Sequence, residues 1–310
     1  MNVALFGGTG FVGSYILDEL LDNGHQPRLL VRAGSERKIS RNDECEIISG
    51  DINDRDVVHS VISGSDAVIY CIGIIRQFPG KGITYEDLHF RGAKTCMAVA
   101  EELGSKRFIL MSANGVKADG TEYQRTKYLA EEYLKTTGLD YTIFRPSLIF
   151  GDPRGQDRPE FCTQLRDQLI RLPLPAPLFY SGLMPNDAGK FEMSPVHVKD
   201  VSSIFVQSLG RKETIGQIYE LGGPENLDWK AIIKTIGKAL GKNKWTVPAP
   251  ALGVKSVAVL MDRFSFFPIT RDQITMLMEG NTCVSKDIFE MFGVEPTLFD
   301  QKSLSYLLAD

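Results

Sequence analysis

The seven residues Gly7-Gly8-Thr9-Gly10-Phe11-Val12-Gly13 satisfy two glycine spacings at once, Gly7-x-x-Gly10-x-x-Gly13 and Gly8-x-Gly10-x-x-Gly13. They follow a short apolar run, Asn2 to Phe6, and open a stretch in which Val12, Ile16, Leu20 and Leu21 recur at helical spacing. Glycine permits positive φ in a tight turn, its missing Cβ lets backbone N–H groups approach a phosphate, and a helix N-terminus presents partial positive charge. A pyrophosphate is the ligand such a turn suits, so the sequence predicts dinucleotide binding here. An NAD site usually carries an acid at the end of the second strand, where this sequence has Leu30-Val31-Arg32 with Ser35, Arg37 and Lys38 close behind. A guanidinium suits a ribose 2′-phosphate, which favours NADP(H) over NAD(H) unless the basic loop is simply solvated. Asp51-Ile52 after the third strand is placed to bond the adenine, and Cys71-Ile72-Gly73 after the fourth to line the adenine ribose and pyrophosphate.

The elements that must position these groups alternate along the chain. Arg28 to Val31, Glu46 to Ser49, Ala67 to Cys71, Phe108 to Met111 and Tyr141 to Phe144 read as strands, with helices at about 55 to 62, 86 to 103 and 122 to 136. Strands and helices in this rhythm predict a Rossmann-type α/β fold, a doubly wound parallel sheet with right-handed crossovers, over residues 1–150. From Gly151 the texture changes, and Leu172 to Pro185 reads as proline-rich loop. A smaller C-terminal α/β lobe, residues 151–310, is expected to bind substrate or partner and to roof the nicotinamide end of the cleft. Within it, residues 196–222 are expected to return to the first domain. In the tail, Val254, Val257, Met261 and Phe264 recur at helical spacing before Phe266-Phe267-Pro268-Ile269. Burial within the lobe is the default, and a docking face for a membrane-bound complex, with Lys255 and Arg263 toward anionic lipid, is the alternative.

Composition excludes more than it assigns. At 310 residues, 43% hydrophobic and 24% charged, the chain can bury a full core, and a net charge of −4 gives no electrostatic reason to expect nucleic acid. Five scattered cysteines without a CxxC pair point to a reducing compartment, the cytoplasm, and against disulfide or zinc frameworks. None of the four histidines has metal-ligand spacing. No basic region precedes an apolar segment at the N-terminus and no window offers a transmembrane span, so export by that route and membrane spanning are not expected, while peripheral attachment stays open.

With Tyr123-Gln124-Arg125-Thr126-Lys127 the chain resembles an atypical or extended short-chain dehydrogenase/reductase almost end to end. Gly50-Asp51-Ile52, Arg145-Pro146-Ser147, Phe150-Gly151, Pro195 to Val201 and Tyr219 to Pro224 carry the likeness further. Within the superfamily it looks most like the branch of the complex I 39 kDa accessory subunit and its bacterial relatives. Gly7 to Gly13, His89 before Gly92-Ala93, the short Ser112 to Tyr123 spacing and Pro268 to Gln273 point there. The resemblance implies hydride transfer, with Tyr123 as general acid or base and Lys127 one helical turn later. Lys127 would favour the ionised phenol and hold the nicotinamide ribose, and Pro146 would also contact the cofactor. Two departures weaken catalysis. Either Ser112 or Ala113 can fall where a hydroxyl should orient the substrate, and His89 replaces the usual Asn of the tetrad. Two classes therefore remain, a cofactor-stabilised accessory or assembly protein with a protein partner in a membrane-associated complex, and an active reductase, dehydrogenase or nucleotide-sugar epimerase or dehydratase.

Overall fold

The computed structural model describes residues 1–155, 158–182, 184–251 and 271–309. The chain divides into two compact units, the first comprising Met1–Pro146, Val198–Glu220 and Glu290–Val294. Six of its strands are β1 (Asn2–Phe6), β2 (Gln26–Val31), β3 (Glu46–Ser49), β4 (Ala67–Tyr70), β5 (Arg107–Met111) and β6 (Asp140–Pro146). They lie in the order β3-β2-β1-β4-β5-β6, all neighbours parallel, and a seventh strand, Gln217–Leu221, borders β6. The order reverses between β1 and β4, which is where a doubly wound sheet opens a crevice at the strands' carboxyl ends.

The strands are apolar on both sides because helices cover both faces. Ala4, Phe6, Val68, Tyr70, Phe108 and Leu110 pack beneath α2 (Arg55–Ile62), α3 (Gly92–Leu103) and α4 (Glu122–Lys135). On the other side α1 (Phe11–Asp22) packs with the helix Val198–Ser208, and Phe144 meets Phe205 with ring centroids 4.6 Å apart. Buried Arg107 ties β5 and β6 to the returning segment, donating to Asp140 O (2.7 Å), Thr142 Oγ1 (2.8 Å), Ser208 O (2.7 Å) and Thr214 Oγ1 (2.8 Å). Desolvation lowers its pKa to about 10.

The second unit comprises Ser147–His197, Leu221–Phe289 and Glu295–Asp310. Its core gathers Phe150, Cys162, Ile170, Trp229, Ile232, Ile233, Ile236, Phe299 and Leu304. The helix Trp229–Ala239 starts where Asp228 accepts from the Ala231 amide at 2.6 Å, an N-cap that holds a first-turn donor. One expectation is corrected here. The proline-rich segment read as loop contains a strand, Ala176–Tyr180, paired in parallel with Thr246–Pro250. A two-stranded ribbon is all edge, so its prolines can turn their N–H-less sides outward, and punctuation by proline misled the reading. The tail residues Val254, Lys255, Val257, Met261, Arg263, Phe264 and Phe266 to Ile269 lie outside the described residues, whereas Arg271–Glu279 is helical.

Candidate functional site

The glycine turn sits where β1 hands over to α1. Gly7 has φ 106°, a left-handed value that favours glycine, and its carbonyl accepts from the Gly10 amide at 2.9 Å to close the turn. A Cβ on Gly13 would lie 2.0 Å from that same carbonyl oxygen, so the first helical turn can press against the loop only if this residue has no side chain. Gly10 is the N-cap residue of α1. It supplies no side-chain acceptor, and no acid stands in the first turn. The amide end of a twelve-residue helix therefore opens at the surface, with Gly10 exposed and Thr9, Phe11 and Val12 half-buried around it. This cradle, which a Cβ would fill, fits a pyrophosphate.

The other strand ends converge on it. A Cβ on Gly7 would meet Cys71 Sγ at 2.9 Å and Ile72 N at 3.0 Å, so the β4 loop lies directly against the turn. Gly8 is held from below, its Cβ position 2.6 Å from Leu29 Cδ2. Burial pushes the Cys71 thiol up to about 12, so it stays protonated at neutral pH. Arg32 follows β2, is exposed, and makes no hydrogen bond or ion pair with the described residues, whereas Arg37 and Lys38 engage neighbours. After β3, the Gly50 amide donates to Val31 O at 3.0 Å, and the Asp51 carboxylate accepts from Asn53 N (2.9 Å) and Asn53 Nδ2 (2.8 Å). Ile52 turns its side chain into the core, leaving only its backbone for a ligand.

Tyr123 and Lys127 stand on α4 beneath a capping box in which Thr121 and Gln124 satisfy each other's amides. Lys127 is buried, donates from Nζ to Met111 O at 3.0 Å and lies 3.6 Å from the Cβ position of Gly73. The structure thus joins Lys127 to the loop that abuts the glycine turn. Desolvation brings its pKa down to about 8 against the favourable charge of Glu131. Glu131, one turn further, is fully buried and held by Arg145 through Nε (2.9 Å) and Nη2 (2.6 Å). Pro146, next in β6, accepts the Asn114 amide at 2.9 Å.

Burial pushes Tyr123 up to about 12, and the Lys127 ammonium lies 5.9 Å from its ring centroid without bringing it down. Ser112 is buried, and its Oγ has no hydrogen-bond partner, so it does not bond the phenol. Ala113, the other candidate for that position, is half-buried and has no hydroxyl. His89 lies in a π-helical turn, Glu86–Arg91, just before α3. Its Nε2 accepts from the Ile74 amide at 3.1 Å, and its Nδ1 faces Thr126 Oγ1 at 3.2 Å. Thr126 Oγ1 in turn donates to Glu122 O at 2.9 Å, which leaves Nδ1 as the protonated nitrogen. Desolvation, with Lys127 nearby, holds His89 well below its usual range, so it is neutral and both nitrogens are committed. It ties the β4 loop to α4 and, stacked on Tyr85 at 5.1 Å, braces Tyr123, whose ring meets both edge-on with centroids 5.1 Å from His89 and 5.6 Å from Tyr85.

Sequence reasoning did not find Tyr85, Thr126 or Glu131. Glu131 was accessible, since Tyr123, Lys127 and Glu131 recur every fourth residue on one helix face. Tyr85 and Thr126 carry no spacing signal of their own.

A family model described as NAD(P)H-binding matches residues 7–164, which is 158 of the 310 residues. The mitochondrial NADH-ubiquinone oxidoreductase 40 kDa subunit of Neurospora crassa is 24% identical, the match covering 99% of this chain and 78% of that protein. A ceramide reductase of Caulobacter vibrioides is 23% identical over 85% of this chain and 78% of its own length. Among solved structures, UDP-glucose 4-epimerase from Bifidobacterium longum in complex with NAD+ and UDP superposes with TM-score 0.74 at 17% identity, covering 99% of this chain and 97% of that one, a likeness of fold. With the glycine cradle at the start of the matched region and the parallel sheet behind it, the chain belongs to the NAD(P)H-binding family.

Proposed function

We propose that the protein is an NADP(H)-binding accessory or assembly factor with weak or no catalysis, working beside a protein partner in a membrane-associated complex. The observation that carries the reading is His89, which stands where the tetrad would have its Asn and has both nitrogens committed to Ile74 N and Thr126 Oγ1, beside a phenol pushed up to about 12. Gly7, Gly8, Thr9, Gly10, Phe11, Val12 and Gly13 would hold the pyrophosphate. Arg32 would take the 2′-phosphate, Asp51 and the Ile52 backbone the adenine, and Cys71, Ile72, Gly73, Lys127 and Pro146 the remainder. Residues 1–150 would carry this site and 151–310 the partner surface, in a cytoplasmic protein able to attach peripherally to a membrane. The similarity to a mitochondrial NADH-ubiquinone oxidoreductase subunit supports this assignment.

The second reading, a reductase in which Tyr123, Lys127 and Ser112 are catalytic, draws on the similarity to a ceramide reductase. Bound nicotinamide would supply or accept hydride there, and Tyr123 would move the proton. Complementation of a deletion strain separates the two. Tyr123→Phe removes proton transfer, worth roughly 10² to 10⁴ in rate, and leaves the cofactor cradle intact. An accessory factor complements with Tyr123→Phe and fails with Gly10→Asp. A Tyr123→Phe strain as defective as the deletion, with normal amounts of folded, NADPH-loaded protein, would assign the protein to the enzymes.

A further inference from the structure

Residues 229–251 contain Lys230, Lys234, Lys238, Lys242 and Lys244 and not one Asp, Glu or Arg, in a chain whose net charge is −4. Lys230, Lys234 and Lys238 recur every fourth residue along the helix Trp229–Ala239, all exposed, opposite the buried Trp229, Ile232, Ile233 and Ile236. None of the three makes an ion pair or hydrogen bond with the described residues. The helix end meets the loop that follows, since a Cβ on Gly237 would lie 3.6 Å from Lys244 Cβ. Lys244 donates from Nζ to Leu172 O at 2.6 Å, and the Ala176 amide donates to Trp245 O at 2.9 Å. These bonds set four exposed apolar side chains beside the lysines: Trp245 at 68% exposure, Leu174 at 62%, and Leu172 and Val247 at 44% each. Trp245 and Val247 are two residues apart, so they share one side of the ribbon.

We propose that this face of the second unit docks on the surface of a bilayer containing anionic phospholipid. Lysine ammonium groups reach headgroup phosphates while an indole and aliphatic side chains enter the interfacial layer, where tryptophan is favoured. Protein interfaces accept tryptophan but are depleted in lysine, so a surface on which the exposed Lys230, Lys234, Lys238 and Lys242 surround leucine, valine and tryptophan suits lipid better than a protein partner. Nucleic acid would use the lysines and leave the aliphatic side chains without a role. The surface gives the accessory reading its membrane contact. It lies wholly in the second unit, so its failure leaves the cofactor reading untouched.

Co-sedimentation of the full chain with vesicles tests it, phosphatidylcholine alone against phosphatidylcholine with phosphatidylglycerol. Binding is expected to the anionic vesicles only, with a loss of about fivefold per lysine removed and so roughly 100-fold for a Lys230→Ala, Lys234→Ala, Lys238→Ala triple variant that retains the wild-type melting temperature. Trp245 and Trp229 are the only tryptophans and Trp229 is buried, so a blue shift of fluorescence on vesicle addition reports Trp245 and should vanish in Trp245→Phe. Absence of binding, equal binding to both vesicle types, or anionic binding unchanged in the triple variant would overturn the proposal. So would tight association with duplex DNA or polyglutamate without vesicle binding.

Discussion

Gly10→Asp should abolish NADPH binding in a protein that still folds, and Gly13→Ala should damage the fold itself. The two glycines do different things in the same turn. A Cβ on Gly10 would lie 3.2 Å from the Gly7 oxygen, a contact that a few tenths of an ångström relieve, but its carboxylate would occupy the pyrophosphate position at the positive end of α1. The expected loss of affinity is at least about 10³-fold, two bridging phosphates being exchanged for a like charge. At Gly13 the added Cβ would lie 2.0 Å from the Gly7 backbone oxygen, and the turn must open before even a methyl group fits. A cost of about 3 kcal/mol is expected, as for other overpacked or strained sites. Thermal melts with and without NADPH distinguish the cases, because a ligand that binds only the native state raises the melting temperature. Gly10→Asp should melt near wild type and show no NADPH shift; a retained shift would remove the turn from the site.

Lys127→Met should make the cofactor-free protein more stable and weaken cofactor binding at least tenfold. The buried ammonium has its pKa lowered from 10.5 to about 8, a cost of about 3 kcal/mol at neutral pH. Replacing it forfeits roughly 1.5 kcal/mol for the charged hydrogen bond to Met111 O, leaving a net gain of roughly 1.5 kcal/mol. The sign can be checked by pH. Because the folded pKa is depressed, the unfolded chain binds the extra proton between about pH 8 and 10.5, so the penalty is complete below 8 and fades across that window. The stability difference between variant and wild type should shrink as pH rises through it, and other groups cancel in the difference. A variant less stable than wild type at pH 7 would mean that Lys127 is a structural residue.

The parts of this molecule that are periodic or local were legible in the sequence. β1 to β6 and their helices follow from apolar runs separated by amphipathic stretches, and the glycine cradle from a spacing set by one tight turn. The short strand Ala176–Tyr180 was hidden because proline marks loops on average, and an edge ribbon is one of its exceptions. Glu290–Val294 joins the first unit from the far end of the chain, a contact with no local signature. The Tyr123 and Lys127 pair was visible by spacing, but its chemistry was not. Spacing puts an ammonium near a phenol, whereas the bond to Met111 O and the desolvation of both groups determine their protonation, and those depend on residues distant in sequence. His89 was visible as a replacement for the tetrad Asn, and its commitment to Ile74 and Thr126 only from the fold.

Titration calorimetry with NADPH and NADH, on wild type and on Arg32→Asp, tests the account most directly. Arg32 follows β2, exposed and without a partner among the described residues, so its guanidinium is available to a 2′-phosphate that only NADPH carries. Such a charged contact is worth roughly 1.5 to 3 kcal/mol, which predicts at least about tenfold tighter binding of NADPH, with the order reversed in Arg32→Asp. Equal affinities for the two cofactors in the wild type, or an unchanged preference in Arg32→Asp, would contradict it.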